Sequence, residues 1–183
     1  MTYCNKQQFE RNLDMGKKFE DQVEPIINRY FAYLDPNSYV MNKAYSKKDI
    51  MHQRGQRYKL CANTSISYCA PDIEIHCRGK QLHIEIKFKN SWVNIDGKEY
   101  AVIDEYKVRE YENVLKLSGF DECLYVFGSA REGKVYITNA RENEKNKMVR
   151  IRKTISYFKT DRKNPNCSFY CWEVSKLKHI GNI

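Results

Sequence analysis

Apolar and polar residues alternate strictly in two neighbouring runs, 73–77 and 84–89. Between them lies the turn-forming segment 78–81, which contains a glycine. Alternation with a period of two is typical of β-strands, because successive side chains of a strand point to opposite faces. The pattern therefore predicts a β-hairpin over 71–89.

The polar positions of this hairpin carry acids and lysines. On the first predicted strand, Asp72 and Glu74 share one face. On the second, Glu85, Lys87 and Lys89 share one face. Because paired strands place their faces side by side, we expect two acids and a lysine to converge.

A helix is predicted near the N-terminus, where apolar residues recur every three or four positions up to Leu34. Asn12 or Asp14 is a suitable N-cap for it. Pro25 lies inside this pattern, and it lacks an amide proton and crowds the preceding turn. We therefore expect a kinked helix or two abutting helices in place of one straight rod.

A second helix is predicted over 104–117, with Gly119 placed to end it. The continuous apolar run 123–127 is typical of a strand that is buried on both faces. The patterns elsewhere indicate short strands over 38–43, 57–61, 134–138 and 168–174, a loop over 46–57 and a short helix over 175–180.

The order of these elements is helix, strands, helix and buried strand. It predicts an α/β (α+β) domain in which helices flank a mixed central β-sheet. With 183 residues the chain has the size of one domain, so we expect a single domain over 1–183. The 42% of hydrophobic residues and the low numbers of Gly (8) and Pro (4) exclude a disordered or collagen-like chain.

No apolar run approaches the roughly 18–20 residues that a membrane span requires, and the N-terminal segment is polar. We therefore expect a soluble cytoplasmic protein without a membrane partner, located in the host cytoplasm if a phage encodes it. The seven cysteines are odd in number and include no CxxC pair. This disfavours zinc and predicts reduced, mostly buried thiols.

The chain has a formal net charge of +9, and the excess is unevenly distributed. Segment 131–163 has eleven basic residues and four acidic ones, and segment 43–59 has six basic residues and one acidic one. Such segments suit a polyanion, because neutralising phosphates releases counterions. The alternative is a solvated surface that only keeps the protein soluble.

The best-defined motif is Pro71-Asp72, followed by twelve residues and then Glu85-Ile86-Lys87. It resembles the motif of the PD-(D/E)xK nuclease superfamily, which has the restriction-endonuclease-like fold. The order of elements is similar as well, since a helix that carries Glu20 precedes the hairpin, and a helix and a buried strand follow it. The resemblance covers roughly residues 15–138 and implies this fold and a nuclease activity.

The residue types of the motif fit that chemistry. Phosphodiester hydrolysis requires an activated water and neutralisation of charge on the phosphate, and a hard divalent cation supplies both. We predict Mg²⁺ (or Mn²⁺) at the carboxylates of Asp72 and Glu85, with the carbonyl of Ile86 as a further ligand. Lys87 is predicted to lie beside the attacked phosphate, where it orients or deprotonates water or stabilises the transition state.

The resemblance also implies an acid on the first helix that reaches the metal directly or through water. Glu20 is the candidate, with Glu24 one turn later as its alternative. We expect the basic segments to hold a nucleic-acid backbone, DNA in preference to RNA. The predicted contacts are Lys48, Arg54, Lys89, Tyr106 and Lys107.

Other interpretations of the same residues stay open. Glu and Lys on an exposed strand often form only cross-strand pairs, and the Gln-x-x-x-Tyr pattern of some nuclease branches is absent from 104–111. Alternative functions are a Holliday-junction-type resolvase, which would act as a homodimer, and an RNA endonuclease. Further alternatives are a non-catalytic nucleic-acid-binding module and a subunit that docks a protein partner.

Overall fold

The computed structural model describes residues 6–43, 50–53, 56–60, 67–69, 71–139, 149–152 and 168–183. The helices in this part of the chain are α1 (Lys6–Leu34) and α2 (Glu105–Ser118). The strands are β1 (Tyr39–Lys43), β2 (Ile50–Gln53), β3 (Gln56–Leu60), β4 (Ser67–Cys69), β5 (Ile73–Cys77), β6 (Lys80–Lys89), β7 (Val93–Ile95), β8 (Lys98–Asp104), β9 (Glu122–Ser129), β10 (Lys134–Asn139), β11 (Val149–Arg152), β12 (Ser168–Glu173) and β13 (Lys178–Asn182).

A six-stranded sheet in the order β1-β5-β6-β9-β10-β13 forms the centre of the molecule. It is mixed, because β6 and β9 run parallel while its other neighbouring strands are antiparallel. A four-stranded sheet has the order β11-β12-β8-β7, and a three-stranded sheet has the order β2-β3-β4. The mixed sheet and the two helices confirm the predicted α+β class.

Helix α1 packs on one face of the central sheet. Its apolar side, which includes Phe19, Val23 and Ile27, forms one buried cluster with apolar residues of β5, β6, β9 and β10. Ile84 and Ile86 are the members from the middle of β6. Because side chains alternate along a strand, the polar residues between them belong to the opposite face.

The opposite face of the central sheet packs against helix α2 and the four-stranded sheet. Val108 and Tyr111 of α2 form a second cluster with Cys123, Tyr125 and Phe127 of β9, and with residues of β8 and β12. His83 and Glu85 of β6 therefore lie buried on the face towards α2, where they meet Tyr111.

Several predicted elements are confirmed. The hairpin of β5 and β6 turns at Arg78 and Gly79, both of which have positive φ (52° and 75°). Helix α2 ends at Gly119, which has the left-handed conformation expected of a C-cap. Cys77, Cys123 and Cys171 are free thiols in the described part of the chain, and they are buried.

The first helix differs from its prediction. It begins at Lys6 and not at Asn12 or Asp14, and it continues through Pro25 as one helix of 29 residues. Pro25 lies on the exposed side of α1. The carbonyl of Asp21, which a proline four residues later cannot bond, therefore faces water, and the helix tolerates the lost hydrogen bond.

Two predictions of local structure are wrong, and one segment for which no element was predicted forms strands. The predicted loop over 46–57 contains β2 and the start of β3. The tail is not a helix, because a single 3₁₀ turn at Val174–Lys176 leads into strand β13, which pairs with β10. Segment 90–100 forms β7 and the start of β8, joined by a turn at Asp96 and Gly97. None of the helices in the described residues is long and apolar enough to cross a membrane.

Strand β9 passes close beneath helix α1 at Gly128. The Phe19 ring occupies the space in which any larger residue at position 128 would place its Cβ. Phe19 also packs against Phe88 of β6, with ring centroids 4.6 Å apart. The lack of a side chain at Gly128 therefore sets how closely α1 approaches the sheet.

Gly128→Ala is expected to lower the free energy of unfolding by about 1–3 kcal/mol, because the added methyl group displaces the Phe19 ring. Urea unfolding measures the change. The control is Gly16→Ala in α1, where nothing lies within 4 Å of an added Cβ and alanine favours the helix by about 1 kcal/mol. Equal stability of Gly128→Ala and the wild type would contradict this packing.

Candidate active site

Asp72 lies immediately before β5 and is fixed against β6. Its Oδ2 atom accepts a hydrogen bond from the backbone amide of Ile86 at 2.7 Å. This bond continues the pairing of the two strands beyond their last backbone pair, Ile73 with Ile84. Asp72 is only 2% exposed, so its carboxylate is held beside Ile86 in the interior.

Glu85, Lys87 and Tyr111 form a hydrogen-bonded cluster on the face that packs against α2. The Lys87 ammonium and the Glu85 Oε1 atom form an ion pair. The Tyr111 hydroxyl donates a hydrogen bond to the same Oε1 atom at 2.6 Å, and Lys87 Nζ lies 3.3 Å from the Tyr111 oxygen. Helix α2 therefore holds one oxygen of Glu85 in a fixed position.

The second carboxylate oxygen of Glu85 is different. Within the described part of the chain, Oε2 is buried and has no hydrogen-bond partner. A buried carboxylate oxygen without a partner is costly, and such an atom usually has a role or binds water or an ion. Oε2 is thus available to a ligand that supplies positive charge.

The cluster is open to solvent on the side of the lysine. Glu85 is 5% exposed, whereas the side chain of Lys87 retains 21% of its surface. The two acids are therefore buried, and Lys87 is more exposed than either of them.

Charged residues lie around the start of α2, namely Asp104 and the lysines Lys87, Lys89 and Lys107. Lys89 is on the same face of β6 as Lys87. The pKa of Lys89 is lowered to about 8, chiefly by burial and also by the charges of Lys87 and Lys107, while the charge of Asp104 opposes the shift. Tyr106 is mostly exposed, and burial of part of its ring and the charge of Asp104 raise its pKa. This end of the site is therefore cationic.

The structure places Asp72 against the backbone amide of Ile86 and Glu85 against Lys87, and Lys89 follows along the same strand. Glu20 lies on α1, which packs on the other face of the sheet. Its neighbour Phe19 contacts Phe88, so Glu20 is level with the carboxyl end of β6. Its role as a ligand stays a prediction, and Lys48 and Arg54 lie outside the described residues.

The donor set of the site suits a hard cation that retains most of its water. No group of three or more His, Cys, Asp or Glu side chains that could hold a metal ion occurs among the residues that the structure describes. Mg²⁺ is usually held by one or two carboxylates, with water and substrate as its other ligands. Asp72 and the Oε2 atom of Glu85 fit this simpler requirement.

Sequence reasoning missed the contribution of Tyr111 and His83. Tyr111 has the spacing of a core residue on α2, and only the fold shows that its hydroxyl meets Glu85. His83 is fully buried, with its ring centroid 5.7 Å from that of Tyr111 and 5.8 Å from that of Phe120. A single histidine within an alternating strand carries no signature that would have indicated this position.

His83 is neutral in the folded protein. Neither of its ring nitrogens has a hydrogen-bond partner in the described residues. Burial lowers the pKa of His83 to about 3, and the nearby charge of Lys87 contributes. An imidazolium at this position would be an uncompensated charge in the interior.

The neutral state of His83 makes folding pH-dependent. As the pH falls from about 6.5 towards 3, the unfolded chain binds a proton at His83 that the folded chain does not, so stability is lost. His83→Phe removes this loss. Between pH 7.5 and pH 4.5, the free energy of unfolding of the wild type should therefore fall by roughly 2–3 kcal/mol more than that of His83→Phe. Urea unfolding at both pH values measures the difference, and a constant difference would contradict neutral burial of His83.

Comparisons of this chain with models of protein families, with curated proteins and with solved structures found no match.

Proposed function

We propose that this protein is a divalent-metal-dependent nuclease that hydrolyses phosphodiester bonds, with DNA as its substrate. The observation that carries this proposal is the state of Glu85. One of its oxygens is held by Lys87 and Tyr111, while the other is buried without a partner. This carboxylate is on the same face as Asp72, and both belong to the motif that resembles the PD-(D/E)xK superfamily.

Asp72 and Glu85 would hold Mg²⁺ or Mn²⁺, together with the carbonyl of Ile86. The resemblance implies Glu20 as a further ligand, but α1, which carries it, packs on the other face of the sheet. The cation would supply an activated water and neutralise charge that develops on the phosphate. Asp72 is positioned for this role by the Ile86 amide. Glu85 is positioned by Tyr111, so neither carboxylate has to reorganise much when it binds a cation.

Lys87 lies at the boundary between the carboxylates and solvent. Its ammonium lies 5.6 Å from the centroid of the Tyr111 ring, and it can contact a phosphate oxygen of a bound strand. There it stabilises negative charge in the transition state or, as a free amine, accepts the proton of the attacking water. Both roles require that it stay close to Glu85.

The cationic surroundings support a polyanionic substrate. Lys89 and Lys107 extend the positive charge of Lys87 towards the start of α2, and the whole chain carries +9. Such charge binds phosphates without reading bases. Cleavage assays on linear DNA, branched DNA and RNA, each with Mg²⁺ or EDTA, distinguish the proposed DNA nuclease from three alternatives. These are a resolvase, an RNA endonuclease and a non-catalytic binding module.

Glu85→Gln and Lys87→Met should each reduce DNA cleavage by at least about 100-fold, because they remove a metal ligand and a charge at the scissile phosphate. Gel assays with Mg²⁺ and Mn²⁺ measure the rates. Lys80 and Glu122 form a matched control, since they are another lysine–glutamate ion pair on the same sheet. Lys80→Met and Glu122→Gln should cleave at rates near that of the wild type.

The controls make the result decisive. If Glu85→Gln cleaves as fast as Glu122→Gln, the carboxylate of Glu85 is not a ligand and the proposal is wrong. If the wild type binds DNA equally in Mg²⁺ and in EDTA and cleaves none of the substrates, the chain is a binding module. Thermal unfolding of each variant shows whether a loss of activity reflects a loss of folding.

Tyr111→Phe should weaken Mn²⁺ binding by about 10-fold, because the hydroxyl that orients Glu85 is lost. The ring contacts with His83 and Tyr125 are kept. Isothermal titration calorimetry on the protein without DNA measures the affinity. Tyr136→Phe is the control, since its hydroxyl donates to Glu132 at 3.2 Å. Equal Mn²⁺ affinities of the two variants would show that Tyr111 does not position Glu85.

A further inference from the structure

Lys89 occupies the position after Lys87 on the polar face of β6. Alternate residues on a strand are about 6.6 Å apart along its axis. Glu85, Lys87 and Lys89 therefore follow one another in this order along one face of β6. This row ends near Asp104 and Lys107, whose charges act on Lys89. A phosphate bound beside Lys87 would thus have Glu85 on one side and Lys89 on the other.

The geometry of phosphodiester hydrolysis gives Lys89 a possible role. Phosphodiester hydrolysis by in-line displacement places the attacking water and the leaving oxygen on opposite sides of phosphorus. In the proposed site the water lies on the side of Asp72 and Glu85. The leaving oxygen then lies on the side of Lys89, where it develops negative charge and needs a proton.

We propose that Lys89 is the general acid that donates a proton to the leaving oxygen during phosphodiester hydrolysis. This inference rests on the proposed nuclease function and adds a catalytic role that phosphate binding alone does not include. Lysine is protonated at neutral pH, so the donor is present. The lowered pKa of Lys89, about 8, makes the ammonium a better acid than an ordinary lysine.

The proton and bond changes balance. Water adds to phosphorus, the bond from phosphorus to the leaving oxygen breaks, and the Lys89 ammonium gives its proton to that oxygen. The products are a phosphomonoester end and a free hydroxyl end. The proton lost by the attacking water passes to solvent, or to Lys87 where that residue is a free amine, and the neutral Lys89 amine regains a proton from solvent.

A sulfur substitution at the leaving position tests this role. In DNA with one bridging sulfur in place of the leaving oxygen, the departing thiolate is stable without a proton. Two substrates, with sulfur at the 3′ or the 5′ bridging position, are needed, and the ends produced by the wild type from ordinary DNA show which bond breaks. Single-turnover rates are measured with Mn²⁺ for the wild type, Lys89→Met, Lys89→Arg and Lys87→Met.

Both variants of Lys89 should cleave ordinary DNA about 100-fold more slowly than the wild type, and the sulfur substrate within about 5-fold of the wild-type rate. Lys87→Met should be slow on both substrates. Lys89→Arg keeps the charge but does not give up a proton at these pH values. It should therefore bind DNA as tightly as the wild type in EDTA, as measured by fluorescence anisotropy.

The pH dependence of the cleavage rate is a second test, made on the same variants. With Lys89 as the acid, the wild-type rate should fall above about pH 8 as the ammonium is lost, and Lys89→Arg should lack this fall. The groups that face Lys89 and act on its titration are Lys87, Asp104 and Lys107. Asp104→Asn should shift the alkaline limb to lower pH, because it removes the charge that favours the ammonium.

Other outcomes overturn the inference. If Lys89→Met is equally slow on both substrates, or if Lys89→Arg cleaves ordinary DNA at the wild-type rate, Lys89 acts only as a charge. If the wild type cleaves the DNA but the sulfur substrate gives no rescue, the nuclease proposal stands and the general acid is wrong. If the wild type cleaves neither substrate with Mg²⁺ or Mn²⁺, both proposals fail.

Discussion

The middle of strand β6, residues 82–86, is buried on both faces, and this constraint determines the rest of the site. One face is apolar and packs under α1, with Ile84 and Ile86 as its centre. The other face carries His83, Glu85 and Lys87 towards α2. A polar residue inside a protein costs free energy unless a partner compensates it. The groups around His83, Glu85 and Lys87 are therefore positioned by the hydrogen bonds and ion pairs that these three residues need.

Some of the buried polar atoms on this face have hydrogen-bond or ion-pair partners, and others have none among the described residues. Asp72 accepts the Ile86 amide, and one oxygen of Glu85 accepts both Lys87 and Tyr111. The other oxygen of Glu85 and both nitrogens of His83 have no partner in the described residues. His83 avoids the cost by staying neutral. The oxygen of Glu85 that has no partner among the described residues is the feature that favours a cation as ligand.

Sequence patterns predicted the parts of the molecule whose structure is determined locally. The β5–β6 hairpin, the C-terminal end of α2 and the burial of β9 follow from alternation, a glycine C-cap and an apolar run. The face shared by Asp72, Glu85 and Lys87 follows from the same alternation. Strand β13 was missed because its stability comes from pairing with β10, about 40 residues earlier in the chain. The β7–β8 turn, by contrast, had a signal in the Asp96-Gly97 pair. Tyr111 and His83 were missed because their partners are distant in sequence.

The position of a bound cation is the sharpest test of a metal site at Glu85. Crystals soaked in Mn²⁺ can be measured at a wavelength where manganese scatters anomalously. We expect one strong peak within bonding distance of Glu85 Oε2 and of a carboxylate oxygen of Asp72, with Tyr111 still bonded to Glu85 Oε1. A peak elsewhere, or none at Mn²⁺ concentrations that support cleavage, would contradict this expectation.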